Sequence, residues 1–202
     1  MAVYDELKKT LAAKPRTWLI TGVSGFIGSH LLEALLKLNQ RVVGLDNFST
    51  GNARNLEEVK ASVGKDSWEK FRFVEGDIRD FEVCRAACRD VEIVLHHAAL
   101  GSVPGSLADP HGCHEINVTG FVNMLIAARD SGAKRFIFAS TSAVYGDSPE
   151  PAKLEEKVGR PLSPYAASKW INEIYADVIC AGPCLIIHSI FSASADCLPS
   201  GC

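Results

Sequence analysis

The chain alternates from one end to the other between short β-rich runs and longer helical patterns, and few architectures accept that alternation. Thr17–Thr21 (TWLIT), Arg41–Asp46 (RVVGLD), Phe71–Glu75, Val91–His96 (VEIVLH) and Arg135–Ser140 (RFIFAS) read as five strands. Between them, Ile27–Leu38 has helical spacing that puts Leu31, Leu32, Leu35 and Leu36 on a buried face, and Phe81–Arg89 is a short helix. From about His111 to Ser131 the spacing is again helical, with Ile116, Phe121, Met124, Leu125 and Ala128 available for one broad apolar face. Pro164–Val178 is a further helix that opens with proline in its first turn. Strands separated by helices pair in parallel through right-handed crossovers. The expected fold is therefore α/β, a doubly wound parallel sheet.

Bulk properties narrow the class. A chain of 202 residues suffices for one well-buried α/β domain. Its formal net charge of −3 argues against a nucleic-acid binder, which normally carries a basic surplus. Met1–Lys14 contains Asp5, Glu6, Lys8 and Lys9 and lacks an apolar core, so it does not read as a secretory signal. No apolar run reaches membrane-spanning length, and a cytoplasmic enzyme with no membrane partner is the expectation. The seven cysteines form no Cys-x-x-Cys pair. Cys84 and Cys88 lie four apart in a helical pattern, which suits two small apolar residues better than a metal site, so no metal is expected. Cys180, Cys184, Cys197 and Cys202 crowd the last stretch.

The segment Gly22-Val-Ser-Gly25-Phe26-Ile27-Gly28 leaves the first strand and opens the first helix. Its spacing is one residue wider at the front than the dinucleotide fingerprint, but the physical demands are alike. One glycine makes a turn that a Cβ would obstruct, another lets backbone amides approach a pyrophosphate, and the last lets helix pack on strand. Asp46 ends the second strand 18 positions beyond Gly28. A carboxylate there accepts from adenosine ribose hydroxyls and repels a 2′-phosphate, so the expected cofactor is NAD. Asp77-Ile78, after the third strand, suits an adenine bracket by hydrogen bond and apolar contact, and equally a plain turn.

The strongest catalytic signal is Tyr165-Ala-Ala-Ser-Lys169, whose i, i+4 spacing on a helix brings both side chains to one face. A free phenol has a pKa of about 10 and is a weak base at neutral pH. A nearby ammonium and a positive nicotinamide ring favour the phenolate, which can then take a proton from a substrate hydroxyl. A third hydroxyl partner is available from Ser140-Thr141-Ser142, at the carboxyl edge of the fifth strand where open α/β sheets bind ligands.

The ordered set TGVSGFIGSH, LDNFSTG, GDIRD, HHAAL, INVTG, ASTSAVYGD and SPYAASK resembles the extended short-chain dehydrogenase/reductases that act on nucleotide-activated sugars, from about Ala12 to Val178. The resemblance implies an NAD-binding Rossmann domain over residues 1–178. It also implies Thr141 as catalytic hydroxyl, Tyr165 as base and Lys169 as its activator and a ribose ligand, with Ser142 as a substrate contact. Gly22, Gly25, Phe26, Ile27 and Gly28 would line the pyrophosphate, Asp46 and Asn47 the ribose, and Asp77 and Ile78 the adenine. Ala98 and Ala99 would flank the cofactor, and Asn117 would brace the active-site helix beside it. Full-length relatives are expected to be homodimers, paired through the helices near His111–Ser131 and Pro164–Val178.

Dehydratases of that family place a carboxylate pair directly after the catalytic threonine, and the related decarboxylases keep its glutamate. This chain has Ser142-Ala143 there. Tyrosine, lysine, hydroxyl and NAD alone can remove a hydride and return it to the other face of a rotated 4-keto sugar, which is C4 epimerisation. The run His97-Ala-Ala-Leu-Gly-Ser-Val-Pro-Gly-Ser106, with Met1–Pro15 and Pro161–Lys169, is most similar to bacterial UDP-N-acetylglucosamine 4-epimerases of polysaccharide synthesis. Those relatives carry Arg where this chain has Gly105; Ser102 and Ser106 are candidate sugar contacts, or plain loop serines. The expected substrate is a UDP-sugar, either UDP-N-acetylglucosamine and its galacto epimer or UDP-glucose and UDP-galactose. An NAD-dependent dehydratase or decarboxylase, and a catalytically silent NAD-binding chain, remain the alternatives.

Past Val178 the resemblance stops, where relatives continue into a sixth strand and a C-terminal substrate domain. One codon choice for Ile179–Pro183 reads Phe-Ala-Arg-Ala in the next frame, similar to the relatives' continuation. Residues 179–202 are therefore hypothesised to follow a frameshift near Val178–Ile179; a gene sequence whose second frame lacks family-like continuation would refute it. The other reading is a divergent tail with Cys184–Phe191 as a sixth strand. Under the frameshift reading the fifth strand has a bare edge and the chain is poorly soluble.

Overall fold

A computed structural model describes residues 2–149, 153–154, 158–180 and 185–190. The order of elements is α1 (Ala2–Ala13), β1 (Thr17–Thr21), α2 (Phe26–Lys37), β2 (Arg41–Asp46), α3 (Ala53–Val63), α4 (Lys65–Trp68) and β3 (Phe71–Glu75). Then come α5 (Phe81–Ala87), β4 (Ile93–His96), α6 (Val103–Ala108), α7 (Pro110–His114), a π-helical turn (Glu115–Thr119) and α8 (Gly120–Asp130). The described chain closes with β5 (Arg135–Ala139), a 3₁₀ turn (Ser142–Tyr145), α9 (Pro164–Cys180) and β6 (Ile186–Ile190). The six strands form one sheet in the order β3-β2-β1-β4-β5-β6, and every pairing is parallel.

Both faces of such a sheet are covered, so its strands carry apolar residues on both sides. Trp18 and Ile20 of β1, Val42 of β2 and Ile93 and Leu95 of β4 pack into one layer with Leu32, Leu35 and Leu36 of α2. The alternate residues Leu19, Val43, Leu45 and Val94 pack into the opposite layer with Phe121, Met124 and Leu125 of α8. At the centre of that second layer Phe121 is fully buried and meets Phe136 and Phe138 edge-on, with ring centroids 5.7 and 5.0 Å away. Burying an aromatic ring of this size stabilises the fold by about 1.5–3 kcal/mol.

Two features differ from the sequence expectation. Ile186–Ile190 pairs with β5 from Arg135↔Ile186 to Ala139↔Ile190, so β5 is an inner strand and its edge is not bare. Leu185 and Ile187 are buried in the core, and the sheet runs past the expected domain boundary at Val178. The physical reason is the apolar run Leu185–Ile187, which supplies the two-faced burial a parallel strand needs. This corresponds to the divergent-tail strand; Cys184 and Phe191 at its expected ends lie outside the described residues. The second difference is α1, a helix in the segment for which the sequence reading assigned no element. It is anchored by the fully buried Gln40, whose amide donates to the carbonyls of Leu11 and Leu38 and accepts from Arg16 N and Trp18 Nε1.

Candidate cofactor cleft and active site

The strand order places the topological switch between β2-β1 and β4-β5, where adjacent connections run to opposite sides and a crevice opens at the carboxyl ends. A cleft at that position is lined by Gly22, Gly25, Asp46, Asn47, Asp77, Ile78, Ala98 and Ala99, among the residues expected there, and also by His97, Leu100 and Ile116.

The turn after β1 is shaped by backbone approach. Gly22 has φ +69°, and a Cβ on it would lie 2.8 Å from Ala98 N. A Cβ on Gly28 would lie 2.2 Å from the Gly22 carbonyl oxygen, so only glycine lets α2 start this close to the turn. Gly25 is the N-cap of α2 and contributes no side-chain cap. The first amides of α2 thus have neither an intrahelical partner nor a side-chain cap. Phe26 and Ile27 have exposed side chains, so any part they take in holding a pyrophosphate falls to their backbone amides. An uncapped helix start behind a tight glycine turn is what a dinucleotide pyrophosphate requires, and the residues present fit NAD.

Asp46 is buried at the end of β2. Its Oδ2 accepts from Ser24 N at 2.9 Å and its Oδ1 from Phe48 N at 2.8 Å, which ties the glycine turn to the loop after β2. A carboxylate has about four acceptor sites, so two remain for ribose hydroxyls. Asn47 donates from Nδ2 to Asp77 Oδ2 at 2.9 Å, and Arg79 pairs with the same carboxylate at 2.6 Å. The Arg79 guanidinium, with smaller contributions from the Arg79 amide and Asn47, holds the Asp77 carboxyl down at about 2 against the effect of burial. Ile78 is buried beneath Gly120, where a Cβ would meet the Ile78 side chain at 2.6 Å.

On the other side of the crevice, α9 lies against the end of β5. Lys169 is buried and its Nζ donates to the Ala139 carbonyl oxygen at 2.9 Å; burial pushes its ammonium down to about 8. Ser140 is also buried and donates to the carboxylate of Glu173, itself buried one turn beyond Lys169. Of the three candidate hydroxyls, Ser140 is therefore committed inward and Ser142 is exposed. Thr141 is half-buried and accepts from Ala143 N at 3.2 Å, capping the 3₁₀ turn, which leaves its proton to donate. Tyr165 is half-buried in the first turn of α9, with no hydrogen-bond partner for its phenol among the described residues.

Three expected site residues have other local duties. Asn117 sits in the π-helical turn; its Oδ1 accepts from Leu100 N at 2.7 Å, and its Nδ2 donates to Leu100 O and to Ser168 Oγ on α9. Its side chain braces α9 and the Ala98–Leu100 loop, and so acts on the cleft through them. Ser106, expected to touch sugar, is fully buried and donates to the Val103 carbonyl at 2.7 Å, which corrects that expectation. Inside α6 a serine hydroxyl bonds back to its own turn when it has no water to face. Ser102 is the N-cap of α6 and accepts from Gly105 N at 3.0 Å.

Sequence reasoning missed Thr21. It is fully buried; its Oγ1 accepts from the amides of His97 and Ala98 and is 2.9 Å from His96 Nδ1. One hydroxyl thereby fixes the end of β4 against the glycine turn. The only available signal was its place as the last residue before Gly22. His97 was also missed, and its ring nitrogens are buried without a partner.

Several of these groups make stability depend on pH. Burial, with Lys169 as a smaller influence, holds His96 well below 6.5 and His97 down at about 4. The unfolded chain therefore takes up protons near pH 6.5 that the folded chain refuses, and stability falls as pH drops from 6.5 toward 4. Asp77 acts lower: the stabilisation from Arg79 is complete above 3.8 and is lost as pH falls through about 2. Thermal unfolding followed by circular dichroism should show a midpoint that declines through both windows; a flat midpoint between pH 6.5 and 4 would contradict this reading.

Cys84 and Cys88 are fully buried in the core around α5, and burial pushes both thiols up to about 12. Cys113 is buried beside Ser168, its thiol also raised by burial. All three should stay unlabelled by a maleimide in the native protein at pH 8 and label after unfolding; peptide mapping that finds rapid native labelling would refute this. Among the described residues no cluster of three or more His, Cys, Asp or Glu is placed to hold a metal ion, and no helix is long and apolar enough to cross a membrane.

Comparison with known proteins agrees with this geometry. The NAD dependent epimerase/dehydratase family matches residues 18–183. A UDP-glucose 4-epimerase of Mycolicibacterium smegmatis is 38% identical over 162 residues, which are 79% of this chain and 50% of that protein. A UDP-N-acetylglucosamine 4-epimerase from Methanobrevibacter ruminantium, solved with UDP-N-acetylmuramic acid, superposes with a TM-score of 0.79 at 33% identity over 87% of this chain and 54% of that one. A dTDP-glucose 4,6-dehydratase of Streptomyces venezuelae, solved with NAD and a second ligand, gives a TM-score of 0.78 at 34% identity over 86% and 54%. The chain thus spans about half the length of the curated relatives it matches. With the parallel sheet, the glycine turn and the Asp46 strand end in place, the match over 18–183 shows that this chain belongs to the NAD dependent epimerase/dehydratase family.

Proposed function

We propose that this chain is the cofactor-binding half of an NAD-dependent UDP-sugar 4-epimerase, acting on UDP-N-acetylglucosamine and its galacto epimer or on UDP-glucose and UDP-galactose. The observation that carries this reading is the end of β5. Lys169 reaches the Ala139 carbonyl, Thr141 follows two residues on, and the turn continues with Ser142 and Ala143, so no carboxylate follows the hydroxyl. The likeness to 4-epimerases in sequence and in structure supports it.

NAD, when bound, supplies the acceptor and donor of the hydride. Tyr165 takes the proton from the C4 hydroxyl and later returns it. The Lys169 ammonium stabilises the phenolate, and Thr141 donates a hydrogen bond that orients the reacting oxygen. Eliminating water needs a further acid and base. Without them the same residues can only reverse their own step, and reversal on the opposite face of the 4-keto sugar inverts C4. Exposed Ile174, Tyr175 and Val178 on α9 support pairing of that helix with a second copy.

Incubation of the purified protein with NAD and each UDP-sugar, followed by mass spectrometry and anion-exchange separation, tests this. Epimer exchange at constant mass is expected. Loss of water would make the protein a dehydratase, the reading the Streptomyces structure favours, and loss of carbon dioxide a decarboxylase. NAD binding without exchange would support a silent cofactor-binding chain.

A further inference from the structure

We propose that Asn123 of α8 is a positioning residue for base selection: from behind the β3–α5 loop it holds the Asp77–Ile78 bracket in shape, without touching the cofactor. This deepens the NAD reading above and rests on it.

The loop from Gly76 to Asp80 joins β3 to α5 and brings Asp77 and Ile78 into the cleft lining, whereas Asn123 stands outside that lining. Carbonyls in so short a loop have no ladder partner and need donors from elsewhere. Asn123 supplies them to two successive residues. Its Nδ2 donates to the Ile78 carbonyl oxygen at 3.1 Å and to the Arg79 carbonyl oxygen at 3.0 Å, using both protons of the amide. The Ile78 carbonyl also accepts from Cys84 Sγ at 3.1 Å, a thiol that burial keeps protonated. One turn earlier on the same face of α8, Gly120 leaves room for the Ile78 side chain.

Peptide units are planar, so fixing two successive carbonyls leaves the Arg79 backbone little freedom. Arg79 in turn holds Asp77. Its amide and Nε donate to Asp77 Oδ1 at 2.9 and 3.0 Å, and its Nη2 donates to Oδ2 at 2.6 Å. The contacts therefore run from α8 through the Arg79 backbone to the direction of the Asp77 carboxylate. That direction decides which base fits beside it. Adenine carries a 6-amino donor that a carboxylate attracts, and hypoxanthine carries an oxygen there that it repels.

Calorimetric titration of the purified protein with NAD and with its hypoxanthine analogue, deamino-NAD, reads the loop through the ratio of the two affinities. The parent should favour NAD by about tenfold, the contribution of one hydrogen bond to a charged group. Asn123→Ala should bind NAD about fivefold more weakly and deamino-NAD as the parent does, so that the preference falls to about twofold. Asn123→Leu, which restores bulk without a donor, should behave likewise. Both variants should fold with a thermal midpoint within about 4 °C of the parent, because Cys84 still serves the Ile78 carbonyl and Arg79 lies exposed to water. A merely structural asparagine would weaken both dinucleotides equally; an unchanged ratio in either variant overturns the proposal. A parent that binds NAD and deamino-NAD alike overturns the adenine bracket, and the proposal with it. A parent that binds neither overturns the NAD reading itself.

Discussion

Tyr165→Phe is expected to lower UDP-sugar epimerisation by roughly 10²–10⁴-fold, the range general-base catalysis supplies. NAD affinity and thermal stability should stay close to the parent. The second half of that statement comes from the structure. The Tyr165 phenol is half-buried and has no hydrogen-bond partner among the described residues, so removing its oxygen orphans nothing. The first half follows from the proposed chemistry, since no other group at the end of β5 can take the proton as readily. Thr141 is a hydroxyl of much higher pKa, and Ser140 is committed to Glu173. Steady-state rates and calorimetric NAD titration on parent and variant decide it. Turnover within a few-fold of the parent would remove Tyr165 as the base, whereas lost NAD binding would make it a cofactor contact first.

Gly28→Ala should be strongly disruptive for a single added methyl group. The added Cβ would sit 2.2 Å from the Gly22 carbonyl oxygen, 2.8 Å from Val23 Cα and 2.9 Å from Gly22 C, all of them backbone atoms. No side chain can rotate away, so the turn or the start of α2 must move. Overpacking of this kind costs about 1–3 kcal/mol, and here it also displaces the turn from its contact with Ala98. NAD binding should be lost with only part of the stability. Gly101→Ala is the control, since nothing lies within 4 Å of its Cβ position and its φ is not positive. It should change stability by less than about 0.5 kcal/mol. Urea unfolding of the three proteins tests this; a Gly28→Ala variant as stable as the control would show that the turn yields more easily than its contacts imply.

Much of the fold was legible because periodicity reports burial directly. The runs Thr17–Thr21, Arg41–Asp46 and Phe71–Glu75 coincide with β1, β2 and β3, and Pro164 does begin α9. The long pattern from about His111 to Ser131 resolves into α7, a π-helical turn and α8, because Asn117 is pulled out of register to bond Leu100 and Ser168. α1, α3, α4 and α6 escaped notice. α4 and α6 are short, and α1 and α3 are amphipathic but largely exposed, so few buried apolar residues mark them in the sequence. The sixth strand was obscured by its departure from the family pattern, although the burial of Leu185 and Ile187 shows that the core accepts it.

For the site, the division follows the range of the interactions. The sequence by itself determined the parallel α/β fold, the glycine turn between strand and helix, the carboxylate at the end of β2 and the Tyr165–Lys169 pair on one helix face. Each depends on contacts between near neighbours, which spacing encodes. Only the tertiary structure decided that Ser140 turns inward to Glu173, that Ser106 is buried, that Thr21 clamps the end of β4, and that the ring nitrogens of His97 are buried without a partner. Those assignments depend on partners 33 to 77 positions away for Ser140 and Thr21, on the local burial of α6 for Ser106, and on what packs around the ring for His97. A polar side chain's role is set by whichever donor, acceptor or solvent the fold brings beside it, and residue type alone does not carry that information.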